Sequence, residues 1–152
     1  MSKILITGGT GFVGSNLVDF LTDIEKIDPR NLRLLIPPWE SLENLNLKKF
    51  EIIVGDIRDK KIVAKSMKGV DVVYHLAAKT IVPGADYGYY RDVNIDGTKN
   101  LIEAAINNSI KKFIYFSSIS VFGLPAWRGD MLDYSEETPK KSSEPYGKTK
   151  LE

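Results

Sequence analysis

Lys3-Ile4-Leu5-Ile6-Thr7-Gly8-Gly9-Thr10-Gly11-Phe12-Val13-Gly14-Ser15 changes from one structural period to another within a single glycine-rich turn. Ile4, Leu5 and Ile6 form a short, wholly apolar run, the habit of a strand covered on both faces in a parallel sheet. From Val13 onward Leu17, Phe20, Leu21 and Ile24 recur at three to four residues, a spacing that predicts a helix with these side chains inward. The glycines between have separate tasks. Gly8 suits a tight turn, Gly11 leaves bare backbone that a pyrophosphate can approach, and Gly14 lets helix and strand pack closely. Unpaired N–H groups and the positive end of the helix dipole then face the phosphates. The triplet satisfies both Gly9-x-Gly11-x-x-Gly14 and Gly8-x-x-Gly11-x-x-Gly14, and no Gly-Lys-Ser/Thr comes after it, which excludes a P-loop. Taken alone, the triplet also fits an ordinary strand-to-helix turn.

Working outward, Asp28-Pro29-Arg30-Asn31 breaks the first helix, and Leu32 to Ile36 reads as a second strand stopped by Pro37-Pro38. Asn44 to Lys48 reads as loop or a single helical turn. Phe50 to Val54 is a third strand, with Asp59 beyond it as the cap of a helix to Met67. Val70 to Leu76 is a fourth strand. A glycine- and tyrosine-rich loop leads to a helix from Tyr90 to Asn107, with Val93, Gly97, Leu101 and Ala104 or Ala105 inward. Phe113 to Phe116 is a fifth strand, and a polar loop from Gly123 to Ser142 precedes a last helical start near Tyr146. A loop that long tends to be functional or mobile. Strands alternating with helices predict an α/β fold, a doubly wound parallel sheet of Rossmann type.

At 152 residues the chain is one domain's worth of sequence. Its net charge of +1, with acids and bases nearly balanced, carries no nucleic-acid or anionic-membrane footprint. The absence of cysteine removes disulfides, thiolate metal sites and cysteine nucleophiles. With no apolar run of membrane-spanning length, the expectation is a soluble, cytoplasmic protein. Glu152 falls early in the last helix, without a capping glycine. The expectation is therefore that residues 1–152 are the N-terminal part of a longer protein. The fifth strand is expected to be a bare apolar edge that invites self-association.

Tyr146 and Lys150 are four residues apart on the last helix and so project from one face. A tyrosine hydroxyl titrates near 10 in the absence of neighbours, too high for a general base at neutral pH. A nearby ammonium and a helix N-terminus favour the tyrosinate. Ser118, just past the fifth strand, lies where such sheets bind ligands and can hydrogen-bond a substrate oxygen. Tyr-x-x-x-Lys by itself is also found as a surface aromatic with a solvated lysine.

Six segments occur in one order: Thr7-Gly-Gly-Thr-Gly-Phe-Val-Gly14, Gly55-Asp-Ile-Arg-Asp59, His75-Leu-Ala-Ala78, Asn94-Ile-Asp-Gly-Thr-Lys-Asn100, Ser117-Ser-Ile-Ser-Val-Phe-Gly123 and Pro145-Tyr-Gly-Lys-Thr-Lys150. In these the chain resembles the extended short-chain dehydrogenase/reductase family, the NAD(P)-dependent epimerases and dehydratases. The resemblance implies that Tyr146 is the acid/base, that Lys150 holds the nicotinamide ribose and lowers the tyrosine pKa, and that Ser118 polarises the reacting oxygen. It implies a cofactor, NAD or NADP, bound by Gly8, Gly11, Phe12, Val13 and Gly14, with Asp56 and Ile57 meeting the adenine, Ala77 and Ala78 passing beside it, and Tyr146 and Lys150 reaching its far end. Asn94 is implied as structural support near the site, and His75, the only histidine, as a packed strand-end residue. The implied partner is a small-molecule substrate, such as a nucleotide sugar or a related alcohol or ketone, and the implied full-length assembly is a homodimer.

Some readings stay open. Asp56 could simply cap a turn. Trp127 and Tyr134 could floor a substrate pocket or belong to an exposed loop. A relative that senses dinucleotide without turnover is the alternative to an enzyme, although such relatives usually lose the tyrosine or lysine kept here. The end of the second strand departs from the family pattern. Ile36-Pro37-Pro38-Trp39-Glu40 offers neither the acid of NAD-preferring members nor the arginine of many NADP-preferring ones, and its nearest acid, Glu40, is displaced by two prolines.

Overall fold

The computed structural model of the chain describes residues 2–42, 50–123 and 134–152. The stretch Asn44 to Lys48, and Trp127 with the neighbouring part of the Gly123 to Ser142 loop, lie outside the described residues.

Five strands form one sheet: β1 (Ile4–Thr7), β2 (Leu32–Ile36), β3 (Glu51–Val54), β4 (Val72–His75) and β5 (Lys112–Tyr115). All neighbours are parallel, in the order β3-β2-β1-β4-β5. The chain winds outward from β1 to β3, then returns to β4 on the other side. The strand order therefore reverses at β1, and open α/β sheets bind ligands at such a switch point, beyond the carboxyl ends of the strands.

Alternate residues of one strand feed opposite layers. Ile4 and Ile6 join Leu32, Leu34 and Ile36 against Val18 and Leu21 of the first helix, α1 (Phe12–Asp19) and its extension. Leu5 and Leu35 face the other way, onto α2 (Lys60–Met67) and onto Leu101, Ala104 and Ala105 of a later helix. This two-sided burial explains why Ile4 to Ile6, and Leu32 to Ile36 apart from Arg33, read as apolar runs rather than alternating ones. Leu5 is completely buried, so truncation to alanine would cost about 2–5 kcal/mol.

Helix phase departs from the sequence expectation at two places. After Asp19, α1 continues as a wider π-type turn over Phe20–Ile24. Gly14, Val18 and Leu21, spaced four and then three residues apart, point inward, while Val13, Phe20 and Ile24 stand exposed. The long helix begins a turn earlier than its spacing suggests, as α3 (Tyr87–Arg91), because the Asp86 carboxylate accepts a hydrogen bond from Tyr89 N at 2.8 Å. It passes through a second π-type turn, Asp92–Gly97, into α4 (Thr98–Asn107). That turn brings Asn94 and Ile95 inside with Leu101. Asp59 caps α2 as expected, accepting from Lys61 N at 2.8 Å. The final helix is α5 (Pro145–Leu151), with proline in its first turn.

β5 forms the edge of the described sheet and pairs only with β4. Among the described residues its outer edge has no strand partner, as expected, while Phe113, Ile114 and Tyr115 are half-buried and Phe113 packs against the core beneath α4.

Candidate active site

The glycine turn between β1 and α1 is built by close approach. Gly8 has a left-handed φ of 72°, and a Cβ there would lie 2.7 Å from Ala77 N. The end of β1 thus meets the segment after β4 through bare backbone. At Gly14 a Cβ would overlap the Gly8 carbonyl, so helix and turn touch only because the side chain is missing. Gly11 differs. Its backbone is extended, with φ −72° and ψ 170°, and the nearest neighbour of an added Cβ is Gly8 O at 3.4 Å. The fold tolerates a side chain at Gly11, and the space that side chain would enter belongs to a groove.

That groove has a volume of about 560 Å³ and runs along the carboxyl ends of β1, β2 and β4. Gly8, Gly11, Phe12, Val13 and Gly14 line it, and Phe12 is 87% exposed. Asp56 and Ile57 form one wall, Ala77 and Ala78 another. Nine of the eleven residues expected at a cofactor therefore line one cavity. Tyr146 and Lys150 do not line it, and neither does Ser118.

Asp56 has two roles at once. It lines the groove, and it also caps the next turn by accepting from Arg58 N at 2.8 Å. Its carboxylate pairs with the Arg58 guanidinium at 2.6 Å. Burial alone would raise its pKa, but the hydrogen bonds from Arg58 hold the carboxyl below its ordinary value. Arg58 pairs with Asp92 as well, at 2.7 Å, and is held charged by these partners, Asp56 first. Lys79, also in the wall, donates to Asp92 at 3.0 Å and lies 4.4 Å above the Tyr89 ring. Neither Arg58 nor Lys79 stood out in the sequence, since a basic residue next to an acid reads as a solvated loop pair.

The second group gathers where α5 meets the segment after β5. Ser118 begins a 3₁₀ turn, Ile119–Phe122, its hydroxyl accepting from Ser120 N at 3.2 Å. α5 packs against that turn through Gly147, where a Cβ would overlap Ser120 O and Ser142 Oγ. Gly147 was given no role in the sequence. The available signal is a glycine in the first turn of a helix, which costs about 1 kcal/mol relative to alanine unless packing requires it. Tyr146 is buried, its ring 5.8 Å from that of Tyr90. Tyr90 in turn stacks edge-on with groove-lining Tyr89 at 5.0 Å. Lys150 is only 7% exposed; its ammonium donates to Phe116 O at 2.9 Å and sits 4.6 Å above the Tyr115 ring. Burial lowers its pKa to about 8. Tyr115 is pushed up to about 12, by burial first and then by Tyr146. Tyr134 stacks on Phe122 at 4.6 Å, beside the 3₁₀ turn rather than in the groove.

One hydrogen-bonded frame joins the two groups. Asn94 donates to Lys79 O at 3.1 Å and accepts from Lys79 N at 2.8 Å, and its amide also donates to Thr149 Oγ1 at 3.1 Å. Thr149 in turn donates its hydroxyl proton to Tyr146 O at 2.7 Å. His75 is fully buried between two threonines, with Nδ1 2.7 Å from Thr7 Oγ1 and Nε2 2.8 Å from Thr98 Oγ1. Thr98 donates to Asn94 O at 2.6 Å, so His75 Nε2 must carry the proton and Nδ1 must accept from Thr7. Burial, with Lys150 as a lesser cause, lowers the His75 pKa to about 3. A sealed neutral imidazole with both nitrogens engaged is a structural post, as its place at a strand end implied.

The model of the 3-beta hydroxysteroid dehydrogenase/isomerase family matches residues 5–152. The chain belongs to this family. An uncharacterized membrane protein of Methanocaldococcus jannaschii is 38% identical over 121 residues, 76% of this chain and 35% of that protein. The 3 beta-hydroxysteroid dehydrogenase/Delta 5-->4-isomerase of Mycobacterium tuberculosis is 34% identical over 131 residues, 80% of this chain and 33% of that one. Among solved structures, a dTDP-glucose 4,6-dehydratase from Streptomyces venezuelae with NAD bound is 25% identical and superposes with a TM-score of 0.84, covering 98% of this chain and 48% of that chain. The chain thus spans about a third of the length of these curated relatives. Membership bears out the resemblance to the extended short-chain dehydrogenase/reductases, as the observed sheet bears out the doubly wound fold. Among the described residues no helix is long and apolar enough to cross a membrane.

Proposed function

We propose that the chain forms the NAD(P)-binding domain of an enzyme that moves a hydride to or from a carbon bearing a hydroxyl or carbonyl. The observation that carries this is the glycine turn, whose open side at Gly11 faces a groove at the strand-order switch. The residues fit a dinucleotide. The unpaired N–H groups of the α1 start suit a pyrophosphate. Thr10 Oγ1 is a buried polar atom without a partner in the same turn. Structures of similar fold have been solved with NAD.

When bound, the nicotinamide ring supplies the hydride acceptor or donor. Tyr146 Oη would take the proton from a substrate hydroxyl, or return it to a carbonyl, while Ser118 Oγ would hydrogen-bond the same oxygen. Lys150 would hold the nicotinamide ribose, and its positive charge would stabilise the tyrosinate as the proton moves. Asn94 would keep Tyr146 in register with the groove wall through Thr149. The substrate is an alcohol or ketone, with sterol-like and nucleotide-sugar molecules as the two classes suggested by similar proteins. We place the chain in a homodimeric, cytoplasmic protein, with a further substrate-recognition region belonging to the whole protein.

The reading is tested with Tyr146→Phe in the full-length protein. Turnover should fall by a few orders of magnitude with cofactor affinity nearly unchanged, because the hydroxyl acts mainly in the transition state. Full activity in Tyr146→Phe would overturn the assignment and favour a non-catalytic dinucleotide sensor.

A further inference from the structure

Lys150 is a buried charge without a counter-ion. It lies near the end of α5, and among the described residues no carboxylate pairs with it. A buried charge is costly unless other groups support it. An ammonium has three donors, and one of them goes to Phe116 O at 2.9 Å. The other support is the face of the Tyr115 ring, with Nζ 4.6 Å from its centroid. Such a contact gains strength where water is excluded, because the ring face carries negative potential.

Tyr115 ends β5, so the sheet fixes its ring from behind. It packs at 5.6 Å against His75, its register partner at the end of β4. The titratable groups around the ammonium are Tyr115, His75 and, one turn back on α5, Tyr146. His75 is sealed and neutral, and Tyr115, pushed up to about 12 by burial first and then by Tyr146, keeps its proton at neutral pH. Lys150 therefore rests on a neutral ring, not on a phenolate. A carboxylate in that place would draw further N–H groups to itself, whereas an aromatic face supports the charge without accepting a directed hydrogen bond. Two donors stay available, the number that a ribose diol can use.

We infer that Tyr115 is a positioning residue for cofactor binding: its ring face and Phe116 O seat the Lys150 ammonium so that two donors remain for the nicotinamide ribose hydroxyls. The inference rests on the proposed place of Lys150 at that ribose. It makes the aromatic ring at position 115, and not its hydroxyl, the group on which the lysine depends.

The test is titration of the full-length protein with NADH from pH 6 to pH 9, monitored by nicotinamide fluorescence, for wild type, Tyr115→Phe, Tyr115→Leu, Lys150→Met and the double variant Tyr115→Leu/Lys150→Met. Tyr115 is half-buried, and phenylalanine or leucine fills its place without burying a new polar group. Tyr115→Phe keeps the ring face and should bind NADH within about twofold of wild type, with the same pH dependence. Tyr115→Leu should bind at least about threefold more weakly at pH 7, and its affinity should begin to fall at lower pH than that of wild type, since the ring no longer offsets burial of the charge. In the Lys150→Met background the leucine substitution should leave NADH affinity unchanged. Weakened binding in Tyr115→Phe, a wild-type affinity and pH dependence in Tyr115→Leu, or an equal loss from Tyr115→Leu with and without Lys150 overturns the inference while leaving the dinucleotide site standing. No NADH binding by any of the proteins, wild type included, overturns both.

Discussion

Asn94 and Thr149, 55 residues apart in sequence, are joined by a buried 3.1 Å hydrogen bond that ties the groove wall to the helix carrying Tyr146. Thr149→Val removes the hydroxyl, leaving the Asn94 amide short of a partner and taking the side-chain donor from Tyr146 O. Stability should fall by about 1–3 kcal/mol in urea unfolding, the usual cost of an orphaned buried polar group. Thr149→Ser should recover most of it. In the full-length protein turnover should drop more than NADH affinity, since the bond aligns the tyrosine.

His75 makes the fold sensitive to acid. Its pKa is near 3 when folded and 6.5 in an unfolded chain, so below pH 6.5 the unfolded state binds a proton that the folded state refuses. The stability it contributes is complete above 6.5 and is lost progressively as pH falls from 6.5 toward 3, with a limiting slope of about 1.4 kcal/mol per pH unit. Urea midpoints measured from pH 7 to pH 5 should show this decline, and His75→Gln should flatten it. A wild-type profile as flat as that of the variant would contradict the buried neutral imidazole.

Lys150 sets a limit at the alkaline end. With its pKa lowered to about 8, it loses its charge on the pH scale well before a solvent-exposed lysine would. NADH affinity should weaken as pH rises from 7 to 9, as the ammonium that would hold the ribose is lost. Lys150→Met should bind less tightly at neutral pH and show no such slope. Affinity independent of pH in wild type would detach Lys150 from the cofactor.

Much of the fold was legible because the sheet is buried on both faces. Ile4 to Ile6 is an unbroken apolar run and Leu32 to Ile36 is interrupted only by Arg33, and each became a strand within its expected bounds or close to them. Helix phase was less legible. In the first helix the buried face is Gly14, Val18 and Leu21, so Val13, Phe20 and Ile24 of the apolar series fall outside it, whereas Gly97, Leu101, Ala104 and Ala105 of the later helix are inward as expected; no local composition marks where the π-type turns at Phe20 and Asp92 fall. At the site, the glycines and the residues of the two walls were readable as motifs that converge on one groove. The Arg58 ion pairs, the Thr7–His75–Thr98 posts and the fit of Gly147 against Ser120 were not. Each joins residues distant in the chain or of an ordinary surface type, and only the assembled sheet brings them together.

The Gly147 contact can be tested through its neighbour. Gly147→Ala places a methyl group against Ser120 O and Ser142 Oγ, so α5 must shift from the Ser118 turn. Alanine is the better helix former by about 1 kcal/mol, so a purely local view expects stabilisation. The packing expects the opposite sign, a loss in thermal midpoint with a larger loss of turnover in the full-length protein. A stabilised, fully active Gly147→Ala would refute the close packing.

The central claim is that a dinucleotide lies against the glycine turn, and Gly11→Val tests it most directly. The backbone at Gly11 is extended and the space beside it open, so valine should fold there with circular dichroism and urea midpoint close to wild type. The isopropyl group would nevertheless stand where the pyrophosphate must approach. Titration of nicotinamide fluorescence should show saturable NADH binding to wild type and a loss of at least about a hundredfold in Gly11→Val, as expected when a ligand's charged centre is displaced from its donors. Equal NADH affinity in a well-folded Gly11→Val would contradict the claim.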